Sequence, residues 1–377
     1  MFSDFLRRIA IYFVGKRSFD CSVEEDSNYL GKYIFPKTDE TRSFYQYKAQ
    51  MHLKKPFARF FLNVASIPML IAYCFKFSKK PEVEKKDAVF VMEGGVSPNI
   101  LPDSLKSEFP LLEYYRGDSR RLCASDRRFL FKLYLKHPFS PHYVLKVTYK
   151  IAKYRFIIDK YEPKALIVHN EFSFTSSVST VYCNKKGIEL FNVMHGEKLF
   201  YIRDSFFKFN RCYIWSEFYK DLFAELRADP DQFIVEIPPS LKFASVEAEK
   251  TVDYTYYLQM QKGEELAKIV ETLSAISKRG DKVAVRPHPR YTNLDELKAL
   301  INDVPIEIES CREITVENSI LRTKNVISLY STVLLQAYIN GVNIVIDDIS
   351  NKDDYLKLVE LKYVMLNAEH KLLSNIE

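Results

Sequence analysis

Two short polar segments of the sequence contain residue types that bind anions. Residues 286–291 read Arg-Pro-His-Pro-Arg-Tyr and offer an imidazole and two guanidinium groups. Residues 328–332 read Ser-Leu-Tyr-Ser-Thr and offer hydroxyl groups. All of these groups can donate hydrogen bonds to phosphate oxygens. We therefore predict a nucleotide-phosphate pocket formed by Arg286, His288, Pro289, Arg290, Ser328, Tyr330, Ser331 and Thr332.

Each polar segment lies between a short apolar run and a helical pattern. Residues 282–285 and 325–327 read as buried strands, and residues 294–301 and 333–340 read as helices. Two such turns in one α/β unit lie at the carboxyl edge of a parallel sheet, where open α/β sheets bind ligands. The N–H groups at the start of a following helix also favour an anion.

The first half of the chain holds candidates for a general base. His195 follows the apolar run 188–194, Glu171 follows the run 165–168, and Glu197 comes two residues after His195. Histidine has a pKa near 6.5 in model peptides and can accept a proton at neutral pH, whereas a carboxylate needs a raised pKa. We predict His195 as the base, with Glu197 and Glu171 as alternatives. His288 is a second catalytic candidate, as an acid or a phosphate ligand, and Glu93 beside two glycines is a weaker one.

The sequence predicts no metal site. Asp229-Pro230-Asp231 forms a DxD triplet, but it reads as a proline turn, and Asp347-Asp348 reads as the turn after a strand. The six cysteines have neither CxxC nor zinc spacing, which is typical of reduced thiols in the cytosol. We therefore expect catalysis without metal.

Length and composition indicate a folded chain of more than one domain. The 377 residues are 47% hydrophobic and 14% aromatic, and the formal net charge is +6. This moderate excess suits an acidic substrate or an anionic membrane surface, and it is too dispersed to predict nucleic-acid binding. The ten glycines argue against a glycine-rich phosphate loop.

The order of the patterns predicts two α/β domains. Strand and helix patterns alternate from residue 87 onward, which implies parallel sheets with helices on both faces. We predict an N-terminal Rossmann-like acceptor domain at 87–239, a linker at 240–252 and a C-terminal Rossmann-like nucleotide-donor domain at 253–348. A helical tail at 349–377 follows. The predicted architecture is two facing Rossmann-like domains with an interdomain cleft.

Residues 1–86 form a basic and aromatic preamble. Residues 1–14 predict an amphipathic helix, and residues 57–75 are the most apolar stretch of the chain. This stretch contains Arg59, Asn63 and Pro68 and is flanked by lysines. Three interpretations remain open: a helix packed on the first domain, a helix lying in a membrane interface, and a true span.

The two polar turns resemble a pattern of bacterial sialyltransferases of the GT-B type. In that family, a His-Pro motif after a strand and a later Ser/Thr pair hold the phosphate and ribose of CMP-sialic acid; here these are His288-Pro289 and Ser331-Thr332. His195-Gly196 is also similar to the His-Gly pair of CDP-glycerol polyol-phosphate transferases and capsule enzymes. The acidic-acidic-glycine triplet that supplies the base in several sialyltransferases is not evident, and Met194-His195-Gly196 or Met92-Glu93-Gly94 stands nearest to it.

The resemblance implies a GT-B-like, inverting and metal-independent glycosyltransferase. It would move sialic acid from CMP-sialic acid to a cell-surface glycan such as O-antigen, lipooligosaccharide or capsule, and it needs no cofactor beyond this donor. The expected partners are the nucleotide-sugar donor, a glycan or lipid-linked glycan acceptor and the cytoplasmic face of the inner membrane. The alternatives are a CDP-glycerol-type transferase, a UDP- or GDP-sugar transferase, and a non-catalytic subunit that binds glycans or nucleotides.

Overall fold

The structure, a computed structural model, describes residues 15–74, 80–243, 249–302 and 304–376. They form two α/β units, each built on a six-stranded parallel sheet. The first unit runs to His195 and includes Phe200–Pro238, and the second comprises Gly196–Leu199 and the chain from Pro239 onward. The predicted fold class of two parallel-sheet α/β domains is confirmed. The predicted helix at 1–14 lies outside the described residues.

The first unit has the strand order β2-β1-β3-β4-β5-β6. Every residue of β1 and β3 is buried, as expected for a parallel sheet covered on both faces. The order reverses between β1 and β3, and such switch points form ligand-binding crevices. The strands are β1 (Ala88–Val91), β2 (Leu112–Tyr115), β3 (Ala165–Val168), β4 (Glu189–Val193), β5 (Arg211–Ile214) and β6 (Phe233–Val235). The helices are α1 (Val23–Gly31), α2 (Asp39–His52), α3 (Pro56–Cys74), α4 (Asp103–Glu108), α5 (Ala124–Lys136), α6 (Pro141–Tyr161), α7 (Ser176–Asn184) and α8 (Glu217–Glu225).

The second unit has the strand order β12-β11-β10-β7-β8-β9 and reverses between β7 and β10. When β7 is counted as strand 1 of this unit, the order becomes 6-5-4-1-2-3, which is the Rossmann order 3-2-1-4-5-6 written from the other edge of the sheet. The strands are β7 (Val252–Tyr257), β8 (Val283–Arg286), β9 (Ile306–Ile308), β10 (Thr323–Ser328), β11 (Asn343–Ile346) and β12 (Lys371–Leu372). The helices are α9 (Glu264–Lys278), α10 (Leu294–Ile301), α11 (Val316–Leu321), α12 (Thr332–Ile339) and α13 (Lys352–Glu360).

The C-terminal residues differ from the helical tail that the sequence predicts. Helix α13 is present, but β12 follows it and pairs with β11, with Lys371 opposite Val345. Leu373 is buried in the core of the second unit. A two-residue edge strand is too short to give a periodic pattern, so only its pairing partner identifies it.

The described part of the preamble packs within the first unit. Helix α2 lies against α7, and its Ser43, Gln46 and Gln50 donate to backbone carbonyls of residues 171–174. Those carbonyls belong to the loop after β3, at the switch point of the sheet. This segment of the predicted preamble therefore helps to hold the polar loop in place.

Helix α3 contains the apolar stretch of the sequence. Within the described residues it is the one helix long and apolar enough for a membrane span: the window Pro56–Tyr73 has a mean hydropathy of 1.3, and 11% of it is buried. The helix packs against α6 and lines a groove together with α5. Packing on the first unit, one of the three interpretations, is therefore observed, while length and composition alone leave open whether a membrane covers the exposed residues.

Candidate functional site

A cavity of about 710 Å³ lies at the β7/β10 switch point of the second unit. It collects most of the predicted nucleotide-binding residues, because the turns after β7, β8 and β10 end at the same sheet edge. Its lining residues are Glu197, Tyr257, Leu258, Gln259, Met260, Arg286, Pro287, His288, Pro289, Tyr291, Val316, Tyr330, Ser331, Thr332 and Val333.

His288 has the geometry of a neutral hydrogen-bond donor. Its Nδ1 accepts from the backbone N–H of Arg290 at 3.1 Å, so the proton of the neutral ring lies on Nε2. The ring stacks on Tyr291 with centroids 4.6 Å apart. Burial and the charge of Arg290 lower the pKa of His288. At neutral pH this side chain therefore offers an Nε2–H group and no positive charge.

The turn after β10 presents the start of a helix to the cavity. Ser331 is the N-cap of α12, and its Oγ accepts from the N–H of Val333 at 3.3 Å. Thr332 is exposed on the cavity wall. Tyr330 packs edge-on against Tyr363, which fixes the turn. A helix N-terminus with a hydroxyl beside it suits a phosphate group.

Three predicted phosphate ligands are placed differently. Arg286 is buried and paired with Glu309 at 3.0 Å, so its charge is already balanced although it lines the cavity. Ser328 is fully buried and donates to the carbonyl of Tyr257, which keeps its hydroxyl away from a ligand. Arg290 is exposed and is absent from the cavity wall.

Glu197 lies in the second unit and lines the cavity that contains His288. From its position in the sequence, Glu197 was expected beside His195 as an alternative base. The boundary between the units falls directly after His195, so the two residues belong to different units. The geometry accordingly associates Glu197 with the predicted nucleotide pocket.

A second cavity, of about 560 Å³, lies at the β1/β3 switch point of the first unit, and we call it the histidine cavity after His169 and His195. His169 and His195 line it from the ends of β3 and β4, and their rings are 4.8 Å apart. The turn after β1 forms the opposite wall, where Gly94 has a φ of +63°. The other lining residues are Glu93, Gly95, Val96, Ser97, Ile100 and Phe172.

Glu171 lies behind His195 and is almost fully buried. Its Oε1 is 3.5 Å from His195 Nδ1, and its Oε2 accepts from Asn192 at 3.1 Å. The 3.5 Å separation is a close approach and not a hydrogen bond. A carboxylate that faces Nδ1 favours the tautomer whose Nε2 can accept a proton, which is its role in hydrolase triads. The structure therefore brings His195 and Glu171 together with distinct capabilities: the histidine can act as a base, and the glutamate can orient it.

His169 is a member of this cavity that the sequence analysis did not select. Its Nε2 accepts from the N–H of Glu93 at 3.0 Å, and burial together with the neighbouring His195 lowers its pKa to about 4. It is therefore neutral at physiological pH and fixes the turn after β1. The signal in the sequence was its position immediately after β3.

A basic cavity of about 340 Å³ adjoins the histidine cavity and shares Glu93 and Phe172 with it. Lys150 and Lys153 each lie 3.1 Å from Glu93 Oε1. Burial alone would raise the pKa of Glu93, but the two lysines lower it to about 2. Arg120 and Lys146 add two cations, against the carboxylates of Glu93 and Asp118. The excess of positive charge favours an anionic ligand.

The lysines of α6 were not selected as site residues from the sequence, because charged residues at helical spacing are typical of any solvent-exposed helix face. Only the tertiary structure shows that two of them, Lys150 and Lys153, meet the carboxylate of Glu93, which follows β1. Burial also lowers the pKa of Lys150.

The acidic pairs considered as metal ligands are engaged in other contacts. Asp229 pairs with Lys208 at 2.8 Å and with Arg42 at 3.4 Å, and Asp347 is buried and accepts from Tyr256 and Ser350. No group of three or more metal-ligating side chains occurs among the residues that the structure describes. The predicted metal independence stays a prediction.

The chain thus consists of two parallel-sheet α/β units, each with a polar cavity at its switch point. Residues 252–345, about a quarter of the chain, match the family model of alpha-2,8-polysialyltransferase (POLYST). This match supports a glycosyltransferase enzyme. It spans β7 to β11 and so contains both predicted phosphate-binding turns. No curated protein sequence matches the chain.

Several solved structures are similar to the chain at low identity. The wall teichoic acid polymerase TagF (H548A) is 10% identical, with 84% of this chain and 86% of that chain covered and a TM-score of 0.43. The lipopolysaccharide outer core galactosyltransferase WaaB is 13% identical, with coverage of 75% and 91% and a TM-score of 0.41. The UDP-GlcNAc 2-epimerase of Methanocaldococcus jannaschii is 14% identical, with coverage of 75% and 93% and a TM-score of 0.43.

Proposed function

We propose that the chain is a sialyltransferase that transfers sialic acid from CMP-sialic acid to a glycan acceptor at the cytoplasmic face of a membrane. The observation that carries the proposal is the polysialyltransferase match over residues 252–345, which coincides with the second-unit cavity. The donor, the inversion of the anomeric centre and the metal independence are parts of this proposal.

The second-unit cavity is proposed to bind the CMP moiety and stabilise it as it leaves. When the bond between the anomeric carbon and the phosphate oxygen breaks, the electron pair and the negative charge go to CMP. His288 Nε2–H and the start of α12 at Ser331 and Thr332 are fixed donors for that charge. Such preorganised donors are usually the largest single contribution to lowering a barrier of this kind.

His195 is proposed to be the general base. Its Nε2 takes the proton of the acceptor hydroxyl while the acceptor oxygen bonds to the anomeric carbon. Glu171 at 3.5 Å from Nδ1 holds the ring and stabilises the imidazolium that forms. Glu171 acts through His195 in this scheme and is a positioning residue.

The acceptor is proposed to be an acidic glycan that itself ends in sialic acid. The basic cavity supports this class, because Arg120, Lys146, Lys150 and Lys153 outnumber its two carboxylates and it adjoins the histidine cavity. A neutral acceptor would leave this excess charge without a function.

The test is a transfer assay with purified full-length protein, CMP-sialic acid, and paired acceptor oligosaccharides with and without terminal sialic acid. We expect product only with CMP-sialic acid, a preference for the sialylated acceptor, and activity that persists in EDTA. CDP-glycerol, UDP-sugars and GDP-sugars serve as alternative donors. Turnover of CDP-glycerol or of a UDP- or GDP-sugar in place of CMP-sialic acid would replace the proposed donor, and loss on chelation restored by Mn²⁺ would overturn the metal-free mechanism.

A non-catalytic role is separated by a double variant. His195→Ala with His288→Ala should abolish transfer, while His370→Ala, a histidine outside both cavities, should leave it unchanged. Biological activity that survives the double variant would favour a binding subunit.

A further inference from the structure

Helix α3 is built with its polar residues facing the protein. Asn63 Oδ1 accepts from the N–H of His142 and from the hydroxyl of Tyr47, and Ser66 Oγ lies 3.2 Å from His142 Nδ1. Arg59, the one charged residue of the helix, donates to a backbone carbonyl at the helix start. The polar groups of α3 are therefore satisfied by the protein itself.

The opposite side of α3 is apolar and exposed, the reverse of a helix on a soluble surface. Phe60 is 67% exposed and Ile71 is 57% exposed. The exposed apolar side chains of the helix are Phe57, Phe60, Phe61, Val64, Ile67, Met69 and Ile71. An exposed apolar patch of this extent marks an interaction surface.

The apolar surface continues from α3 onto α5 through a groove of about 550 Å³. Ile67, Leu70 and Ile71 of α3 form one wall, and Leu130 and Phe131 of α5 form the other. Its volume lies in the range of about 300–1,000 Å³ that is typical of ligand sites. Beyond the groove, Leu135 is 61% exposed and Phe139 is 93% exposed. The surface therefore consists of an exposed apolar face and the groove beside it.

The charges around this surface are mostly positive. On α5, Arg128 and Lys132 are exposed, and Lys136 is exposed but paired with Glu40, whereas Asp126, the one carboxylate of the helix, is fully buried. Lys54 and Lys55 precede α3, which contains no acidic residue. Positive charge around an apolar face complements an anionic lipid headgroup layer.

We propose that the outer face of α3 and the α3–α5 groove form a docking surface for an anionic lipid bilayer, with the groove taking one acyl chain of a bilayer phospholipid. The inverted polarity of α3, the continuous apolar face and the basic border carry the proposal together. This docking surface does not depend on which nucleotide donor the second unit binds.

Flotation of the full-length protein with phospholipid vesicles tests the surface. Binding should need phosphatidylglycerol, because pure phosphatidylcholine lacks negative charge, and it should fall as added salt shortens the Debye length from about 10 Å at 0.1 M to about 3 Å at 1 M. Phe60→Glu and Ile67→Glu should each weaken vesicle binding by roughly tenfold or more, since each places a charge in the apolar layer. Leu356→Glu, on an exposed apolar position of α13 in the second unit, should have no effect.

The groove is tested by fluorescence. Phe131→Trp should be quenched by vesicles whose phospholipid acyl chains carry bromine, whereas Leu356→Trp should not be quenched. Trp215, the only tryptophan of the chain, is buried and gives the background signal in the parent protein.

Each other outcome counts against the proposal. Binding that ignores anionic lipid and salt, or that falls equally in Leu356→Glu, overturns the docking surface. Absence of vesicle binding, combined with a dimer in light scattering that Phe60→Glu dissociates, assigns the face to a second copy of the chain. Vesicle binding without quenching of Phe131→Trp overturns the acyl-chain site. The parent's lipid and salt dependence decides the matter if a glutamate variant fails to fold.

Discussion

The two switch-point cavities differ in the charges of the polar groups that line or border them. The first-unit cavity holds His195 backed by Glu171 and borders a cluster of opposite charges, in which two lysines meet Glu93. The second-unit cavity presents neutral donors at His288, which is uncharged at neutral pH, and at the start of α12, which carries only partial charge. It is also lined by the Glu197 carboxylate and by Arg286, whose charge is balanced by Glu309.

This difference matches two separate tasks in group transfer. A proton acceptor must change its charge during the reaction, so it profits from a carboxylate behind it. A leaving phosphate gains charge, so it profits from donors that are already in place and need no reorganisation. The similar sheet edges of the two units thus support unequal chemistry, and substitutions in each should affect different kinetic constants.

The strongest contrast is expected from His195→Ala. Turnover should fall by roughly 100- to 10,000-fold, the range for loss of a general base. The affinity for CMP, measured by calorimetry, should be nearly unchanged. Glu171→Gln and Glu197→Gln should each have a smaller effect on turnover. An active His195→Ala protein beside an inactive Glu171→Gln or Glu197→Gln protein would show that the base is wrongly assigned.

His288→Ala should change both constants, which distinguishes the second cavity from the first. Turnover should fall by roughly 100-fold, as for loss of one preorganised donor, and CMP should bind more weakly. His288→Gln retains an N–H donor and should recover part of both losses. A folded alanine variant with unchanged CMP affinity and turnover would remove His288 from the site.

The pH dependence of stability should reflect the buried histidines of the first unit. Burial, aided by neighbouring cations, lowers the pKa of His142 and His169 from 6.5 to about 4. The unfolded chain therefore binds more protons between these values, so stability is greatest above pH 6.5 and falls as the pH approaches 4, by roughly 3 kcal/mol per histidine.

Urea unfolding followed by the fluorescence of Trp215 measures this effect, since that residue belongs to the first unit. His142→Gln should flatten the pH dependence, and His370→Gln should leave it unchanged. An identical slope in all three proteins would contradict the assignment.

The smallest effect is expected at the start of α12. Ser331→Ala removes the side-chain acceptor for the N–H of Val333 and should cost about 1 kcal/mol of stability. Thr332→Ala, one position into the helix, should cost less stability and should weaken CMP binding if its hydroxyl meets the phosphate. Thermal unfolding with and without CMP separates the two, because a ligand that binds the folded state raises the midpoint. An equal CMP-induced shift in both variants and the parent would place the phosphate elsewhere.

The sequence by itself determined the alternation of strands and helices and the positions where polar residues follow apolar runs. Local patterns suffice for this, because a buried strand and an amphipathic helix each leave a short periodic signature. Parallel pairing then requires consecutive strand ends to meet at one edge, and His288, Ser331 and Thr332 do line one cavity. That this cavity binds a nucleotide stays a prediction. The short strands β2, β9 and β12 lack such a signature and were not predicted.

Only the tertiary structure decided which polar residues remain available to a ligand. Arg286 meets Glu309 across the β8–β9 pair, and Ser328 is covered by β7. Glu197 belongs to the second unit although His195 belongs to the first. Each of these outcomes depends on a partner that is distant in sequence or on the order of strands in a sheet. A hydrogen bond or ion pair formed across the fold leaves no trace in the local pattern, so residue types alone predict which chemistry is possible at a sheet edge, and packing selects the groups that can perform it.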